Sequence, residues 1–552
     1  MFFCLKSRRR FIELKFLLNE GVVDKNRLAL GFRPGPRVDS LKPALNRRAA
    51  GIFCHITSLP GPWGAGDLGP GTAYFLDFLK KAGQRWWQML PVVPPGAGDS
   101  PYSSPSAFAG NELFISIERL ADEGLLGRKA PTGVSPGRTD YAAARDLKRP
   151  LLKAAFGRYV KTVPASERGR MELFERENAF WLDDYALYAV CKEHFDQKPW
   201  MFWEAGLAHR DGAALARARR KFAQEISFQK FLQYLVDRHW RAFRSQAAAH
   251  GVGLIGDIPF YVAQDSADVW AQREIFRLSG DGRPQAVAGV PPDAFSDDGQ
   301  LWGNPIFDWP VLTARRYDWW IQRLKRAAAQ FDALRLDHFI GFQNYWEIPC
   351  GATTAKGGRW VAGPQDDFFR EVFKQMPDIE LIAEDLGVLT PEVEALRDRF
   401  NLPGMRVLQF AIEEAMSQGS TGFLPGRKRS VIYTGTHDND TAAGWWRKKM
   451  LPVAGREPEG RVLAQIFPEG AAEAHWDLIK MAFSLQADTA IIPIQDVLGL
   501  DSSARMNTPG TAEGNWTWRL EGRELTAELA GRLLDLTRAS GRCGSAVDRF
   551  HE

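Results

Sequence analysis

Eight short apolar runs constrain this chain more than any other feature. They are Gly51–His55, Trp86–Val93, Val252–Phe260, Ala333–Phe339, Leu381–Leu386, Arg406–Phe410, Val431–Gly435 and Ala490–Ile494. Each ends in a polar or Gly/Pro-rich turn. Short runs of this kind read as strands buried on both faces. Amphipathic helical patterns precede several of them. The clearest is Phe228, Phe231, Leu232, Leu235, Val236, Trp240 and Phe243, at successive spacings of 3, 1, 3, 1, 4 and 3. Ser227 is placed to cap this helix and Gly251 to end it. Buried strands alternating with helices predict an α/β fold with a parallel sheet, and eight of them predict a (β/α)8 TIM barrel.

The spacing of the runs is uneven. About 160 residues separate the second from the third, and about 70 the third from the fourth. Those stretches are expected to hold large inserted subdomains: a mainly helical one at about 112–250 and a loop-rich one at about 261–330. The 552 residues would allow three or four domains, but one barrel with insertions over 48–552 accounts for the length. Residues 1–47 lack sustained periodicity. They are expected to be a basic extension, disordered or the product of a mis-set translation start.

Charge sharpens that division. The net charge is +4, yet residues 1–50 hold 12 Lys+Arg against 4 Asp+Glu. The body is therefore mildly acidic, which argues against nucleic acid as a partner. No apolar run is long enough for a membrane helix, and no association with a membrane is expected. The first residues lack the apolar core of a signal peptide, and Glu13, Glu20 and Asp24 fit a transit peptide poorly. The five cysteines are far apart, with no CxxC pair. That pattern fits neither a zinc site nor a disulfide framework and points to a reducing cytoplasm.

In a parallel barrel, catalytic groups stand at the C-terminal ends of the strands. Acids follow four of the runs: Asp257 in LIGDIPF, Asp337 in LRLDHF, Glu384 in LIAEDLG and Asp438 in YTGTHDND. The last three are 47 and 54 residues apart. A single acid in such a place can simply cap the next helix. Several, accompanied by Arg335, His338 and His437, resemble a site where two carboxyls flank a glycosidic bond. Arg335 precedes Asp337 by two residues, so it shares a strand face with it and can hold it ionised. The second carboxyl must be protonated, with its pKa raised by burial or by negative charge. Glu384, beside Asp385, fits that role, and Asp438 fits a third, charge-stabilising one.

The ordered motifs GDSPYSSPSAFAGN (98–111), GLIGDIPFYVAQDSADVWA (253–271), GVPPDAFSDDGQLWGNPIFDW (289–309), LRLDHFIGF (334–342), LIAEDLG (381–387), LPGMRVLQF (402–410), YTGTHDNDT (433–441) and LGLDSSARMNTPGTAEGNWTWR (498–519) carry a family resemblance. The chain resembles the 4-alpha-glucanotransferases, also called amylomaltases or disproportionating enzymes, of the α-amylase clan. The resemblance spans Ala49 to about Leu520. It implies Asp337 as nucleophile, Glu384 as general acid/base and Asp438 as transition-state stabiliser. It implies that Arg335 orients the nucleophile and that His338 and His437 bond sugar hydroxyls. Asp257 falls on the clan's third-strand motif, and Tyr102 would stack on the sugar. Asp293, Phe295 and Trp302 would line the groove, with Phe410 and Asn507 nearby.

The implied reaction is a retaining transfer of an α-1,4-glucan segment to the 4-hydroxyl of an acceptor. Maltooligosaccharides, amylose or glycogen-type glucans would be the substrates. The two carboxyls are expected about 5–5.5 Å apart. No dense oxygen-ligand loop for calcium is visible, so no metal or cofactor is expected. An α-glucan hydrolase of the same clan and a non-catalytic glucan-binding protein are the competing readings.

Most of the 19 Trp read as packing, with Trp86–Trp87, Trp319–Trp320 and Trp445–Trp446 as examples. Trp302, in a Gly- and Pro-rich stretch, is the one assigned to the groove. Phe410 reads as the end of a strand, lining either barrel or groove. Asp265 and Asp268 read as helix caps. Ala294 stands where the family often has an aromatic residue, and Pro105 is an addition to the loop after Tyr102.

Overall fold

The computed structural model describes residues 44–127, 137–292, 296–387, 389–423, 427–468 and 473–543. Twelve strands follow in chain order. They are β1 (Ala49–Phe53), β2 (Trp86–Gln88), β3 (Gly253–Ile258), β4 (Ala286–Val290), β5 (Gln300–Pro305), β6 (Ala333–Leu336), β7 (Asn344–Pro349), β8 (Arg359–Ala362), β9 (Leu381–Ala383), β10 (Gly404–Val407), β11 (Ser430–Tyr433) and β12 (Thr489–Pro493).

Eight of these strands close into a parallel barrel in the order β1-β2-β3-β6-β9-β10-β11-β12, with β12 pairing back to β1. Each predicted run supplies one of them. Helices surround the sheet, so the fold is the expected (β/α)8 barrel. Burial on both faces explains why these strands are unbroken apolar runs. Every residue of β1, β3, β11 and β12 is buried. Trp86 and Trp87 in β2 are packing residues, as expected. Trp87 lies 4.6 Å from the Phe75 ring and 5.2 Å from the Phe243 ring.

Helices fill much of the stretch between β2 and β3, the longest being Ala223–Ala249. All seven residues of its predicted apolar stripe are buried. Ser227 is not its cap. The helix begins four residues earlier, because Gln224 and Glu225 are good helix formers and extend it upstream. Gly251 does end it, in the left-handed region at φ +70°. Residues 44–48, near the end of the expected extension, contact the body. Leu45 is buried, and the Arg48 side chain donates to the carbonyls of Phe483, Leu485 and Ser540.

The stretch 261–330, expected to be loop-rich, contributes two strands and three α-helices, Ala267–Ala271, Trp309–Ala314 and Asp318–Gln330. With β7 and β8 these strands make a second sheet, antiparallel, in the order β5-β4-β7-β8. It escaped the sequence reading because its strands are partly exposed and lack clean alternation. Gly289 in β4 has a steric reason: a Cβ there would stand 2.1 Å from the Gln300 carbonyl oxygen of β5.

Candidate active site

β3 and β6 pair with Asp257 opposite Arg335. Arg335 and Asp337 share one face of β6, whereas Leu334 and Leu336 take the other. At this end of the barrel Arg335 becomes the centre of a carboxylate cluster. Its Nη1 donates to Asp337 Oδ1 at 2.8 Å and to both Asp257 oxygens at 2.9 Å. Its Nη2 lies 4.0 Å from Glu384 Oε2. The guanidinium is buried. Its neighbouring carboxylates outweigh that burial and push its pKa up.

Glu384 follows β9. Its carboxyl accepts the backbone N–H of His338 at 2.6 Å and that of Leu386 at 3.1 Å. Burial pushes it up to about 8, with Arg335 pulling down and the charge of Asp337 adding to the rise. Asp385 is not the cause. Its side chain turns away to pair with Arg397 and to accept the Met405 N–H at 2.7 Å. Gly404 makes room for it, since a Cβ there would stand 2.3 Å from the Asp385 carboxylate.

Asp438 follows β11. Asn507 donates to its Oδ1 at 2.6 Å, and the Arg505 guanidinium donates to its backbone carbonyl. His437 Nε2 lies 3.4 Å from Asp438 Oδ2. The Tyr102 hydroxyl donates to Asp257 Oδ2 at 2.8 Å, and its ring stacks on His437 at 5.2 Å. Burial raises Asp257 above the usual carboxylate range against the pull of Arg335. Burial and the negative charge of Asp257 raise the Tyr102 phenol. His338 holds a left-handed backbone at φ +49°, a strained conformation of the kind found at functional sites. Burial lowers its imidazole to about 4, so the ring is neutral at pH 7.

The structure thus brings together Asp337, Glu384, Asp438, Arg335, His338, His437, Tyr102, Asp257 and Asn507. Trp302 joins them through the edge of His338, at 4.9 Å between ring centroids, with 38% of its surface exposed. Phe410 does not end a strand. β10 stops at Val407, and the helix Leu408–Gln418 takes Phe410 into its first turn, where it is 40% exposed. The helix-forming residues after it, AIEEAM, explain the change. Asp293 and Phe295, with Ala294, lie outside the described residues.

Three residues were missed. Trp516 lies 5.9 Å from the Tyr102 ring and 5.8 Å from His437. Its place in the quoted motif GNWTWR was the available signal. Arg505, in the same motif, holds Asp438. Asp268 is not a helix cap, since Ser266 takes that place. Asp268 instead accepts the Ala107 N–H at 2.7 Å, which ties down the loop bearing Tyr102. Asp265 is no cap either. It binds the Tyr188 hydroxyl at 2.9 Å and Lys192 at 2.7 Å.

A parallel barrel whose rim holds one ion-paired carboxyl and a second raised carboxyl near the same cation is suited to two-carboxyl chemistry at a glycosidic bond. Comparison with known proteins makes the class specific. The family model for 4-alpha-glucanotransferase matches residues 54–526. The 4-alpha-glucanotransferase of Thermus thermophilus is 45% identical over 90% of this chain and 99% of its own length. The chloroplastic/amyloplastic enzyme of Solanum tuberosum is 41% identical over 90% of this chain and 87% of its own. Among solved structures, amylomaltase from Streptococcus agalactiae in complex with acarbose matches with a TM-score of 0.84 at 34% identity. That match covers 90% of this chain and all of the other. The chain belongs to the 4-alpha-glucanotransferase family and is a glycosyl-transferring enzyme.

Proposed function

We propose that this enzyme moves a segment of an α-1,4-glucan, such as a maltooligosaccharide, amylose or a glycogen-type chain, onto the 4-hydroxyl of an acceptor glucose or glucan. Asp337 attacks the anomeric carbon, and the bond from that carbon to the leaving oxygen breaks. Glu384 gives its proton to that oxygen. The acceptor 4-hydroxyl then passes its proton to Glu384 and attacks the same carbon, breaking the bond to Asp337. Two inversions leave the α configuration retained. Asp438 opposes the positive charge of the transition state. His338, His437, Tyr102 and Asp257 hold the sugar, and Trp302 covers the groove so that an acceptor displaces water.

The observation that carries this reading is the unequal grip of Arg335. It bonds Asp337 and stands further from Glu384, whose pKa is raised to about 8. Maltotriose given to the purified protein tests it. Glucose plus a ladder of longer maltooligosaccharides is expected. Glucose and maltose without longer products would identify a hydrolase instead.

A reducing compartment, the cytoplasm, belongs to the same reading. The four cysteines among the described residues are free, and three of them are buried. No helix among the described residues is long and apolar enough to cross a membrane.

A further inference from the structure

A small cavity of about 40 Å³ runs behind the loop that carries Tyr102. Tyr102 and Asp257 stand on its wall, and so do Arg323 and Arg326 of the helix Asp318–Gln330. Most of the remaining wall is apolar, with Val92, Phe108, Pro259 and Phe331 among its residues. The arginines are three residues apart and so share one helix face. Arg323 is 5% exposed, and the Arg326 side chain 10%. Aromatic rings pack against both. Trp319 and Trp320 lie 5.4 and 5.0 Å from Arg323, and Trp181 lies 5.6 Å from Arg326.

Several donors here are unmatched. Arg323 Nη1 and Arg326 Nε and Nη2 are buried with no hydrogen-bond partner among the described residues. The Tyr261 hydroxyl, on another part of the wall, has none either. The nearby carboxylates are committed elsewhere. Asp237 accepts Arg326 Nη1 at 2.8 Å but also pairs with Arg241 at 2.7 Å. Asp268 interacts electrostatically with Arg323, but its Oδ2 accepts the Ala107 N–H, and burial pushes it up to about 6. Asp337 also acts electrostatically on Arg323, and Asp257 stands on the wall, but none of these carboxylates accepts from the three unmatched guanidinium nitrogens. A buried charge without a partner is costly, and guanidinium N–H groups bind anions readily. Burial alone already drives Arg323 down to about 10.

We propose that a small monovalent inorganic anion of the halide type binds in this cavity between Arg323 and Arg326. It accepts the unmatched guanidinium N–H groups and braces the Tyr102 loop from behind. A neutral glucan has no charge to offer these arginines, although Tyr102 and Asp257 border both the cavity and the sugar groove.

Crystals of the full chain soaked in sodium bromide test the proposal directly. An anomalous peak within hydrogen-bonding distance of Arg323 Nη1 and an Arg326 nitrogen is expected. In solution, sodium bromide should raise the melting temperature of the wild type by about 2 °C more than that of Arg323→Gln. Arg326→Lys keeps the charge but loses the fork, and should bind bromide several-fold more weakly. It serves if Arg323→Gln fails to fold. A peak accompanied by equal melting shifts in wild type and variants means an adventitious ion only and overturns the proposal. Bromide resolved elsewhere on the protein but absent between the two arginines also overturns it.

Discussion

Asp337 and Glu384 end neighbouring strands, β6 and β9, and face the same guanidinium, yet their surroundings differ. Asp337 receives a direct 2.8 Å bond from Arg335, whereas Glu384 stands 4.0 Å from it. Two backbone N–H groups hold Glu384 in place without a second cation. At the barrel end burial outweighs the pull of Arg335, so Glu384 rises to about 8. In the mechanism we propose, one arginine, placed unequally, thereby divides two similar side chains into a nucleophile and a proton donor.

Asp337→Asn should give the largest effect. The amide still accepts from Arg335, so the fold should survive, with an unchanged circular dichroism spectrum. Turnover of maltotriose should fall by at least about 10⁴-fold. Activity within tenfold of wild type would remove Asp337 as nucleophile and erase the division of roles. The same variant removes a negative charge that raises Glu384, so the Glu384 pKa should drop. Carbon NMR of labelled glutamate would register it. No change would mean that burial alone sets the value.

Glu384→Gln should cost about 10²–10⁴-fold with maltotriose, whose leaving oxygen needs a proton. A glycosyl fluoride donor needs none, so formation of the glycosyl-enzyme should suffer much less. Equal losses with both donors would show that Glu384 positions substrate without donating a proton. In the proposed mechanism, the protonated form of Glu384 is the active one in the first step. kcat/KM should hold below pH 8 and fall as pH rises through about 8. The measured value belongs to the coupled pair. A profile flat to pH 9.5 would contradict the raised carboxyl.

The barrel and its acids were legible in the sequence for one physical reason. Strands buried on both faces write themselves as apolar runs, and functional groups sit where those runs stop. Arg335 could be placed beside Asp337 because strand periodicity is two. The antiparallel sheet was not legible, since AVAGV and QLWGNP neither alternate nor stay apolar. Nor was the part played by Asp385, because adjacency in sequence hid a side chain that turns toward Arg397. Asp268 was misjudged similarly. Its partner, the Ala107 N–H, lies 161 residues away, and only the fold brings them together. Phe410 was misplaced because the apolar run LQF continues past the strand into a helix.

Trp302 and Phe410 offer the smallest contrast and the most delicate test. Both are aromatic and similarly exposed, at 38% and 40%. Trp302 is set on β5 with its ring edge-to-face with His338, the residue after Asp337. A platform fixed in this way can bind an acceptor sugar and exclude water. Phe410 rides on the first turn of a helix beyond the strand end. Trp302→Ala should therefore raise the acceptor KM about tenfold, roughly the contribution of one aromatic platform, and shift the products of maltotriose toward free glucose and maltose. Phe410→Ala should change the KM by no more than about twofold and leave the transfer-to-hydrolysis ratio alone. The product ratio is the decisive reading, because loss of general stability would lower both reactions together. If Phe410→Ala moved that ratio and Trp302→Ala did not, the acceptor would lie along the helix Leu408–Gln418, and the antiparallel sheet would lose its place in the groove.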